Sequence, residues 1–162
     1  MKKVKFVSKA HNLNELNNIK FKSFSIPNFY FFSVFEWNRD KKKKISEIKS
    51  KLSQYLCIRS SFIGEDTSKN SLAGKFESFL YVNSQDINEV QKKIKGVINS
   101  YTYKKQNNEF FVQEMVQNIK FAGVLLTRNL NDYSKCININ FSQDNNSATV
   151  TSGKEGTKNL LY

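Results

Sequence analysis

The spacing of the apolar residues changes along the chain, and this change limits the folds that the sequence can adopt. Ile45, Ile48 and Leu52 recur at intervals of three and four residues, which predicts an amphipathic helix over about residues 41–54. Beyond about Asn107 the apolar residues occur in short continuous or alternating runs, which are typical of strands. The sequence therefore predicts a helix-bearing part followed by a strand-rich part.

Two more helices are indicated by local signals. Leu13 and Leu16 lie at helical spacing within Lys9–Asn17. Asp86 is a residue type that caps helix N-termini, and it precedes a further set of apolar residues at helical spacing. These residues are Ile87, Val90, Ile94, Val97 and Ile98. We expect a helix at each place.

Strand-like runs complete the predicted fold. Those in the helix-bearing part, residues 1–107, are Phe29–Phe35, Tyr55–Arg59 and Ser78–Val82. Those in the strand-rich part, residues 108–162, are Phe110–Val116, Phe121–Asn129, Lys135–Phe141 and Ala148–Ser152, which we expect to form an antiparallel meander. The alternation from Cys136 to Phe141 predicts a sheet with one buried and one solvated face. The predicted fold class is α+β, with a mixed, largely antiparallel sheet and flanking helices.

Composition narrows the protein class. The sequence contains no run of about 18 apolar residues and no N-terminal secretory signal, so we expect neither a membrane helix nor export, and a cytoplasmic location. Cys57 and Cys136 lie far apart without a CxxC pattern, and His11 is the only histidine. A disulfide framework and a zinc site are therefore not supported, and His11 is interpreted as a surface or turn residue.

The formal net charge of +12 raises the question of nucleic-acid binding. The lysines are spread along the chain, and the dense run Lys41–Lys44 opens a predicted helix, so we interpret this run as a solvated helix face. Nucleic acid is therefore not an expected partner. A non-catalytic basic module that binds nucleic acid or a partner protein, through Lys41–Lys44 and the aromatics of Phe29–Phe35, remains the alternative.

The segment Ile58–Leu80 points to a phosphate ligand. It reads IRSSFIGEDTSKNSLAGKFESFL and follows a strand-like run. Arg59 offers a planar fork for phosphate oxygens, the hydroxyls of Ser60 and Ser61 can donate to the same oxygens, and Ala73–Gly74 let backbone N–H groups approach closely. Together these residues predict nucleotide binding.

Other charged residues near these runs have competing interpretations. Arg128 ends the apolar run FAGVLLT, so it also emerges at a predicted strand end, where a surface salt bridge is the alternative to a functional role. Glu65 and Asp66 are adjacent on an extended segment, and adjacent carboxylates there point to opposite sides. We therefore assign no metal ligand to them.

Four segments resemble one family, the ATP-grasp nucleotide domain (PEP/pyruvate-binding type) at the N-terminus of phosphoenolpyruvate synthase and pyruvate phosphate dikinase. Ile58–Leu80 resembles its VRSS, ED, AG and SxL signature. FVQEMV at residues 111–116 and AGVLLTRN at residues 122–129 are similar to its VQxMV and GVLFTRNP segments. Lys9–Leu13, KAHNL, resembles its KGANL opening. The resemblance covers nearly the whole chain and implies an ATP-grasp-like N-terminal lobe.

The resemblance implies a role for each matching residue. Lys9 and Arg59 would contact nucleotide phosphates, Ser60 and Ser61 would shape the same pocket, and the Ala73–Gly74 loop would close over the triphosphate. The hinge strand beside adenine would consist of Gln113, Glu114, Met115 and Val116. Arg128 would act on the transferring phosphates. ATP is the implied ligand. The implied Mg²⁺ would be held by residues outside this chain.

The same resemblance implies a larger enzyme. The family's magnesium-binding acidic residues and a later QxR segment are not found in residues 1–162, so we expect the chain to be a partial domain that is inactive alone and works with the remaining domains of a phosphotransferase. Such enzymes convert ATP to AMP and phosphate and pass the phosphoryl group through a histidine in another domain. The stretch IPNFYFFSVFEW resembles relatives in surface-polysaccharide pathways, including a glutamine kinase, but the sequence does not identify the acceptor.

Overall fold

The computed structural model of the chain describes residues 8–19, 21–62, 75–103, 106–129, 132–142 and 158–161. The fold is α+β, as predicted, and the chain divides into two compact units, Met1–Met115 and Val116–Tyr162. This division lies a few residues beyond the predicted boundary near Asn107. Within the part of the chain that the structure describes, no helix is long and apolar enough to span a membrane.

The first unit contains both helices and strands, and the described part of the second contains strands. The elements of the first unit are α1 (Lys9–Asn17), β1 (Phe29–Ser33), α2 (Val34–Arg39), α3 (Lys41–Lys51), β2 (Tyr55–Ser61), β3 (Ser78–Asn83), α4 (Ile87–Ser100) and β4 (Glu109–Glu114). Those of the second unit are β5 (Ala122–Arg128), β6 (Lys135–Ser142) and β7 (Lys158–Leu161). The predicted helices over Lys9–Asn17 and after Asp86 are confirmed.

The strands form two separate antiparallel sheets rather than one mixed sheet. The first has the order β1-β4-β2-β3, and the second has the order β5-β6-β7. The predicted strand Phe110–Val116 was expected to open the meander, and this was wrong, because β4 pairs with β1 and β2 in the centre of the first sheet. The meander begins at β5, and the predicted strand Ala148–Ser152 lies outside the described residues.

The aromatic run Phe29–Phe35 changes from strand to helix at Ser33, whereas the sequence predicts a strand throughout. The Ser33 Oγ accepts from the Glu36 N–H at 3.1 Å, and the Glu36 carboxylate accepts from the Ser33 N–H at 2.9 Å. This reciprocal capping box satisfies N–H groups that the start of α2 would otherwise leave unpaired. The local cap therefore overrides the strand preference of Val34 and Phe35.

Aspartate caps begin the two longest helices. The Asp40 Oδ1 accepts from the Lys43 N–H at 3.0 Å, and the Asp86 Oδ1 accepts from the Glu89 N–H at 2.9 Å. α3 ends at Lys51, three residues before the predicted end. The two helices place their apolar residues against one side of the first sheet, as the spacing predicts.

The hydrophobic core lies between the first sheet and the helices α2, α3 and α4. Alternate strand residues contribute to it, among them Phe32, Leu56, Ile58, Phe110 and Val112, and helix residues such as Trp37, Ile48, Val90 and Ile94 fill the other side. Phe110 is fully buried, with its ring centroid 5.8 Å from those of Phe32 and Trp37. We refer to this side of the sheet as the core face.

Gly96 allows α4 to lie close to β3. A Cβ atom built on Gly96 would lie 2.9 Å from the Phe79 ring, which is closer than side chains tolerate. Phe79 packs against the core without being fully buried, and the Lys93 Nζ lies 4.5 Å from the centre of its ring. A small residue at this point of α4 therefore fixes how closely the helix approaches the sheet.

The second unit has no buried apolar face among its described residues. Leu125 and Ile137 are 57 % and 45 % exposed, although the alternation along β6 predicts one buried face. The Asn138 Oδ1 is instead buried, and no described residue donates a hydrogen bond to it. The two-residue period forms the strand as expected, but it does not bury the apolar side of the strand.

Candidate functional site

The side of the first sheet opposite the core face carries three of the polar residues that the sequence singles out, Arg59, Ser61 and Gln113. Residues directly opposite each other on neighbouring strands share a face, so the strand register places side chains in rows across β1, β4 and β2. The rows on this side are Phe29, Gln113 and Cys57; Phe31, Phe111 and Arg59; and Ser33, Glu109 and Ser61. Because α1 packs on this side, we refer to it as the α1 face.

Two buried hydrogen bonds attach α1 to the third row. The Ser8 Oγ donates to the Glu109 Oε2 at 2.7 Å. The Ala10 N–H donates to the Ser61 Oγ at 2.8 Å, and both residues are fully buried. Ser61 is therefore committed to holding the start of α1, and its hydroxyl oxygen already accepts one hydrogen bond from the chain itself.

His11 lies at the surface, as one of the two predicted alternatives has it, and it belongs to the first turn of α1. Its Nδ1 is 3.3 Å from the Glu109 Oε1, and its ring centroid is 5.3 Å from that of Phe31. The histidine side chain is 46 % exposed, and the Glu109 side chain is 12 % exposed. A buried carboxylate thus orients a half-exposed imidazole at the edge of the α1 face.

Arg59 is the exposed cation in the middle row of the α1 face. Its Cζ lies 5.7 Å from the ring centre of Phe111, which is buried. Among the described residues, no carboxylate lies within ion-pair distance of the guanidinium. Arg59 also acts on its neighbour on the same face: burial raises the pKa of the Cys57 thiol, and the positive charge of Arg59 opposes this rise.

The structure separates Ser60 from the residues that precede and follow it. Ser60 lies opposite Phe110, so its hydroxyl is on the core face, whereas Arg59 and Ser61 are on the α1 face. Strand alternation therefore splits the predicted serine pair between the two sides of the sheet. The predicted turn Ala73–Gly74 lies outside the described residues.

The predicted hinge strand, residues 113–116, bridges from the end of β4 to the start of the second unit. The Gln113 Nε2 donates to the Pro27 carbonyl at 3.3 Å, and the Met115 N–H donates to the Tyr55 carbonyl at 2.9 Å. The Glu114 carboxylate accepts from the Ser53 N–H and the Asn28 Nδ2, at 2.9 and 3.0 Å. Val116 is 53 % exposed. Much of the hydrogen-bonding capacity of this strand is thus used within the first unit.

Arg128 ends β5, as predicted, and it lies directly opposite Lys135 of β6. Its Nη1 donates to the Tyr133 carbonyl in the connecting loop at 2.9 Å. The two cations line a shallow groove of about 460 Å³ with Thr127, Cys136 and Ile137. Two adjacent positive side chains at a groove are suited to an anionic ligand.

Gly123, in the same AGVLLTR segment, lets β5 approach β6 closely. A Cβ atom at this position would lie 2.8 Å from the Asn140 carbonyl oxygen. Any larger residue would therefore push the two strands apart. This requirement gives the glycine of the segment a structural reason that does not depend on a ligand.

The described residues do not provide a magnesium site. No group of three or more histidine, cysteine, aspartate or glutamate side chains among them could hold a metal ion. The carboxylates nearest to the predicted site are also engaged, because Glu109 accepts from Ser8 and Glu114 accepts from Ser53 and Asn28. The described part of the chain does not fit Mg²⁺ coordination.

A family model of the AMP/ATP-binding domain of pyruvate phosphate dikinase matches residues 12–153. The chain belongs to this family. The match includes β2 with Arg59, β4 with the hinge strand, and β5 with Arg128, while Lys9 precedes it. A search of curated proteins finds no match to the chain. Membership of the pyruvate phosphate dikinase AMP/ATP-binding domain family makes a nucleotide the expected ligand.

Within this family assignment, the contact between His11 and Glu109 is the main feature of the α1 face that the sequence did not indicate. His11 lies in α1, within the KAHNL segment, and Glu109 lies in β4, outside the segments that carry the resemblance to the family. No local pattern predicts a pairing across 98 positions. Only the placement of α1 on the sheet brings these two side chains together.

Proposed function

We propose that the chain is the ATP-binding N-terminal lobe of a phosphotransferase of the phosphoenolpyruvate synthase type, with an ATP-grasp architecture. Two facts support this proposal. The chain belongs to the AMP/ATP-binding domain family of pyruvate phosphate dikinase, and its first unit exposes Arg59 on a sheet face that carries several other predicted contacts.

The observation that carries the proposal is the environment of Arg59. The guanidinium is exposed, rests near an aromatic ring and has no ion-pair partner among the described residues. A guanidinium without a carboxylate partner can present its planar fork to phosphate oxygens, and Arg59, unlike the similarly placed Arg39, lies in the segment that resembles the family signature. The α1 face is therefore the surface on which we place the nucleotide phosphates.

The other predicted roles are part of this proposal. Lys9, the first residue of α1, contacts the phosphates together with Arg59, and the Ala73–Gly74 loop closes over them. The hinge strand, residues 113–116, lies beside adenine and reads it through backbone groups. Arg128 supplies positive charge to the transferring phosphates, which is the kind of charge stabilisation that phosphoryl transfer requires.

Ser60 and Ser61 have indirect roles in this proposal. The Ser61 hydroxyl accepts from the Ala10 N–H and so positions the start of α1, and the Ser60 hydroxyl lies on the core face. Ser61 therefore shapes the pocket by fixing α1, Ser60 contributes to it only as part of β2, and the phosphate contacts come from the cations.

The reaction that we propose for the whole enzyme converts ATP to AMP and phosphate and passes a phosphoryl group through a histidine outside this chain. Mg²⁺ would be bound by residues outside the described ones. A glutamine kinase of a surface-polysaccharide pathway is the more specific assignment that the IPNFYFFSVFEW stretch suggests. By itself the chain would bind the nucleotide without completing the reaction.

Binding of ATP to the purified chain tests the proposal. We expect millimolar ATP with Mg²⁺ to raise the melting temperature, because a ligand that binds only the folded state stabilises it by mass action. Arg59→Ala should abolish most of this increase and leave the melting temperature without ATP nearly unchanged. Arg39→Ala is the matched control, since Arg39 is also exposed and its Cζ also lies 5.7 Å from a phenylalanine ring, that of Phe35.

The same experiment separates the proposal from the alternative of a basic binding module. We expect a short DNA duplex not to stabilise the chain. A nucleic-acid-binding module would instead be stabilised by the duplex, and this stabilisation would decrease steeply as the salt concentration rises. Absence of an ATP effect in the unmodified chain, or equal loss in Arg59→Ala and Arg39→Ala, would contradict the proposal. Production of AMP by the isolated chain at ordinary enzyme rates would contradict the assignment to a partial lobe.

A further inference from the structure

We propose that His11 is an additional phosphate-contacting residue of the nucleotide site and that Glu109 positions it. This inference rests on the proposed function, because it takes the α1 face as the surface that binds the phosphates. It adds a residue that the resemblance to the family does not assign, and it gives the buried Glu109 carboxylate a role in ligand binding.

The carboxylate of Glu109 fixes the orientation of the imidazole. Its Oε2 accepts from the Ser8 hydroxyl at 2.7 Å, and its Oε1 lies 3.3 Å from the His11 Nδ1. Ser8 is the N-cap of α1 and His11 lies in its first turn, so the carboxylate lies at the helix N-terminus, where the positive end of the helix dipole favours a negative charge. A buried acceptor held in this way selects Nδ1 as the nitrogen of His11 that faces the protein.

The second ring nitrogen is left for a ligand. The imidazole contacts the ring of Phe31, with ring centroids 5.3 Å apart and planes tilted by 59°, and its Nδ1 edge faces Glu109. The side chain is nevertheless 46 % exposed. With Nδ1 turned toward the protein, we take the exposed part to include the edge that carries Nε2.

The position of His11 on the sheet suits a shared ligand with Arg59. His11 packs on Phe31, Arg59 packs near Phe111, and Phe31, Phe111 and Arg59 occupy one row across three neighbouring strands. Strands two apart in a sheet are separated by about 10 Å. A nucleoside triphosphate that lies along this row can reach both side chains.

The chemistry of the imidazole matches a phosphate oxygen. Between two anions, the Glu109 carboxylate and a phosphate, the ring can carry a proton on each nitrogen and donate through both. The Nδ1 proton then remains with Glu109, and the Nε2 proton faces the phosphate. A chain that has a single histidine thus places it where a charge-assisted hydrogen bond to the nucleotide can form.

A purely structural role is the competing explanation, because the contact between His11 and Glu109 also attaches α1 to the sheet. Two substitutions separate the roles, since an asparagine amide overlays the Nδ1 position of histidine and a glutamine amide overlays the Nε2 position. His11→Asn keeps a donor for Glu109 and removes the group that faces the ligand. His11→Gln keeps a donor near the Nε2 position and removes the contact with Glu109.

The test measures the dissociation constant of ATP with Mg²⁺ by calorimetry and the melting temperature without nucleotide, for the full chain and both variants. We expect His11→Asn to weaken ATP binding roughly tenfold while the melting temperature stays close to that of the unmodified chain, as the loss of one charge-assisted hydrogen bond predicts. His11→Gln should lower the melting temperature and weaken ATP binding less.

The outcomes distinguish this inference from the proposed function. If the unmodified chain binds ATP, Arg59→Ala loses binding and His11→Asn binds as tightly as the unmodified chain, His11 is a structural residue and the inference is wrong. If the affinity for ATP and the melting temperature fall together in both His11 variants, the loss of binding comes from loss of stability, and the inference is again wrong. If the unmodified chain does not bind ATP at all, the proposed function itself fails, and the inference fails with it.

Discussion

The two faces of the first sheet differ in what their side chains contact, although they are built from the same strands. Phe110 and Phe111 are neighbours in β4, and they are 0 % and 3 % exposed. Phe110 packs between Phe32 and Trp37 on the core face, whereas Phe111 lies beside Phe29 and the guanidinium of Arg59 on the α1 face. One face therefore contacts mainly apolar groups, and the other combines aromatic rings with polar groups.

This difference indicates which face supplies stability and which carries the site. The core face is packed by three helices, and its buried apolar area is the main source of folding free energy. The α1 face uses its buried polar groups, Glu109 and Ser61, to hold α1 and leaves Arg59 exposed. Groups that a fold does not need for its own stability are the ones that a ligand can use.

Truncation of the two adjacent phenylalanines tests this contrast with the largest expected effect. Phe110→Ala should lower the free energy of unfolding by about 3–5 kcal/mol, because it leaves a cavity lined by side chains that cannot move into it. Phe111→Ala should cost less, since the flexible Arg59 side chain can cover part of the gap. Urea denaturation of both variants, monitored by circular dichroism, gives the two values.

The contrast between the faces would be broken by equal losses in the two phenylalanine variants. Equal values would mean that the α1 face contains a second core as important as the first. If Phe110→Ala does not fold, the milder Phe110→Leu and Phe111→Leu pair makes the same comparison. Phe111→Ala should in addition weaken the ATP response, because Arg59 loses the ring beside which it lies.

A second test concerns the adjacent serines, which lie on opposite faces. Ser61→Ala removes the acceptor of the Ala10 N–H and leaves a buried donor unpaired, so we expect a loss of about 1–3 kcal/mol in the free energy of unfolding. Ser60→Ala places a methyl group on the apolar core face and should cost less. Hydrogen exchange should locate the effect of Ser61→Ala in α1.

A Ser60→Ala variant that is as unstable as Ser61→Ala would contradict the assignment of the two hydroxyls to different environments. Faster exchange throughout the sheet in Ser61→Ala, rather than in α1, would contradict the view that this hydroxyl mainly attaches the helix. The serine pair therefore tests the comparison with one hydroxyl group on each side of a single strand.

The sequence predicted those parts of the structure that depend on local patterns. Asp86 and the apolar spacing that follows it define α4, and the runs Tyr55–Arg59 and Ser78–Val82 locate two strands to within two residues. Helix caps and hydrophobic periodicity act over a few residues, so their signal is complete within the segment. The exception is Ser33, where a capping box ends a strand inside an aromatic run.

Features that depend on distant pairing could not be predicted in this way. The strand at Phe110 was recognised, but its partners, β1 and β2, are set by tertiary packing and leave no mark in the neighbouring residues. The same limit explains why the sequence predicted only part of the candidate site. Arg59 was identified from its motif, whereas the separation of Ser60 from Ser61 requires the strand register, and the contact of His11 with Glu109 requires the position of α1.

The prediction with the smallest expected change in stability concerns Glu36, at the start of α2, where the chain passes from β1 into the helices of the core face. Hydrogen bonds from the Ser33 N–H, chiefly, and from the Ser33 hydroxyl lower the pKa of the Glu36 carboxyl, and burial partly opposes this. A carboxyl with a pKa lowered by folding stabilises the folded state at pH values above its ordinary pKa, and this contribution disappears as the pH falls through the lowered value. Glu36→Gln should therefore destabilise the chain near neutral pH, and the difference from the unmodified chain should shrink below about pH 4.

Chemical denaturation at a series of pH values measures this difference, with Glu77→Gln as the control for the change in net charge, because Glu77 is exposed. A difference that stays constant or grows in acid would show that the capping box does not depend on the ionised carboxylate. A difference that shrinks in acid for Glu36→Gln but not for Glu77→Gln would show that the ionised Glu36 carboxylate stabilises the start of α2. This is the point where the chain leaves the sheet that carries the site and enters the helices that pack on its core face.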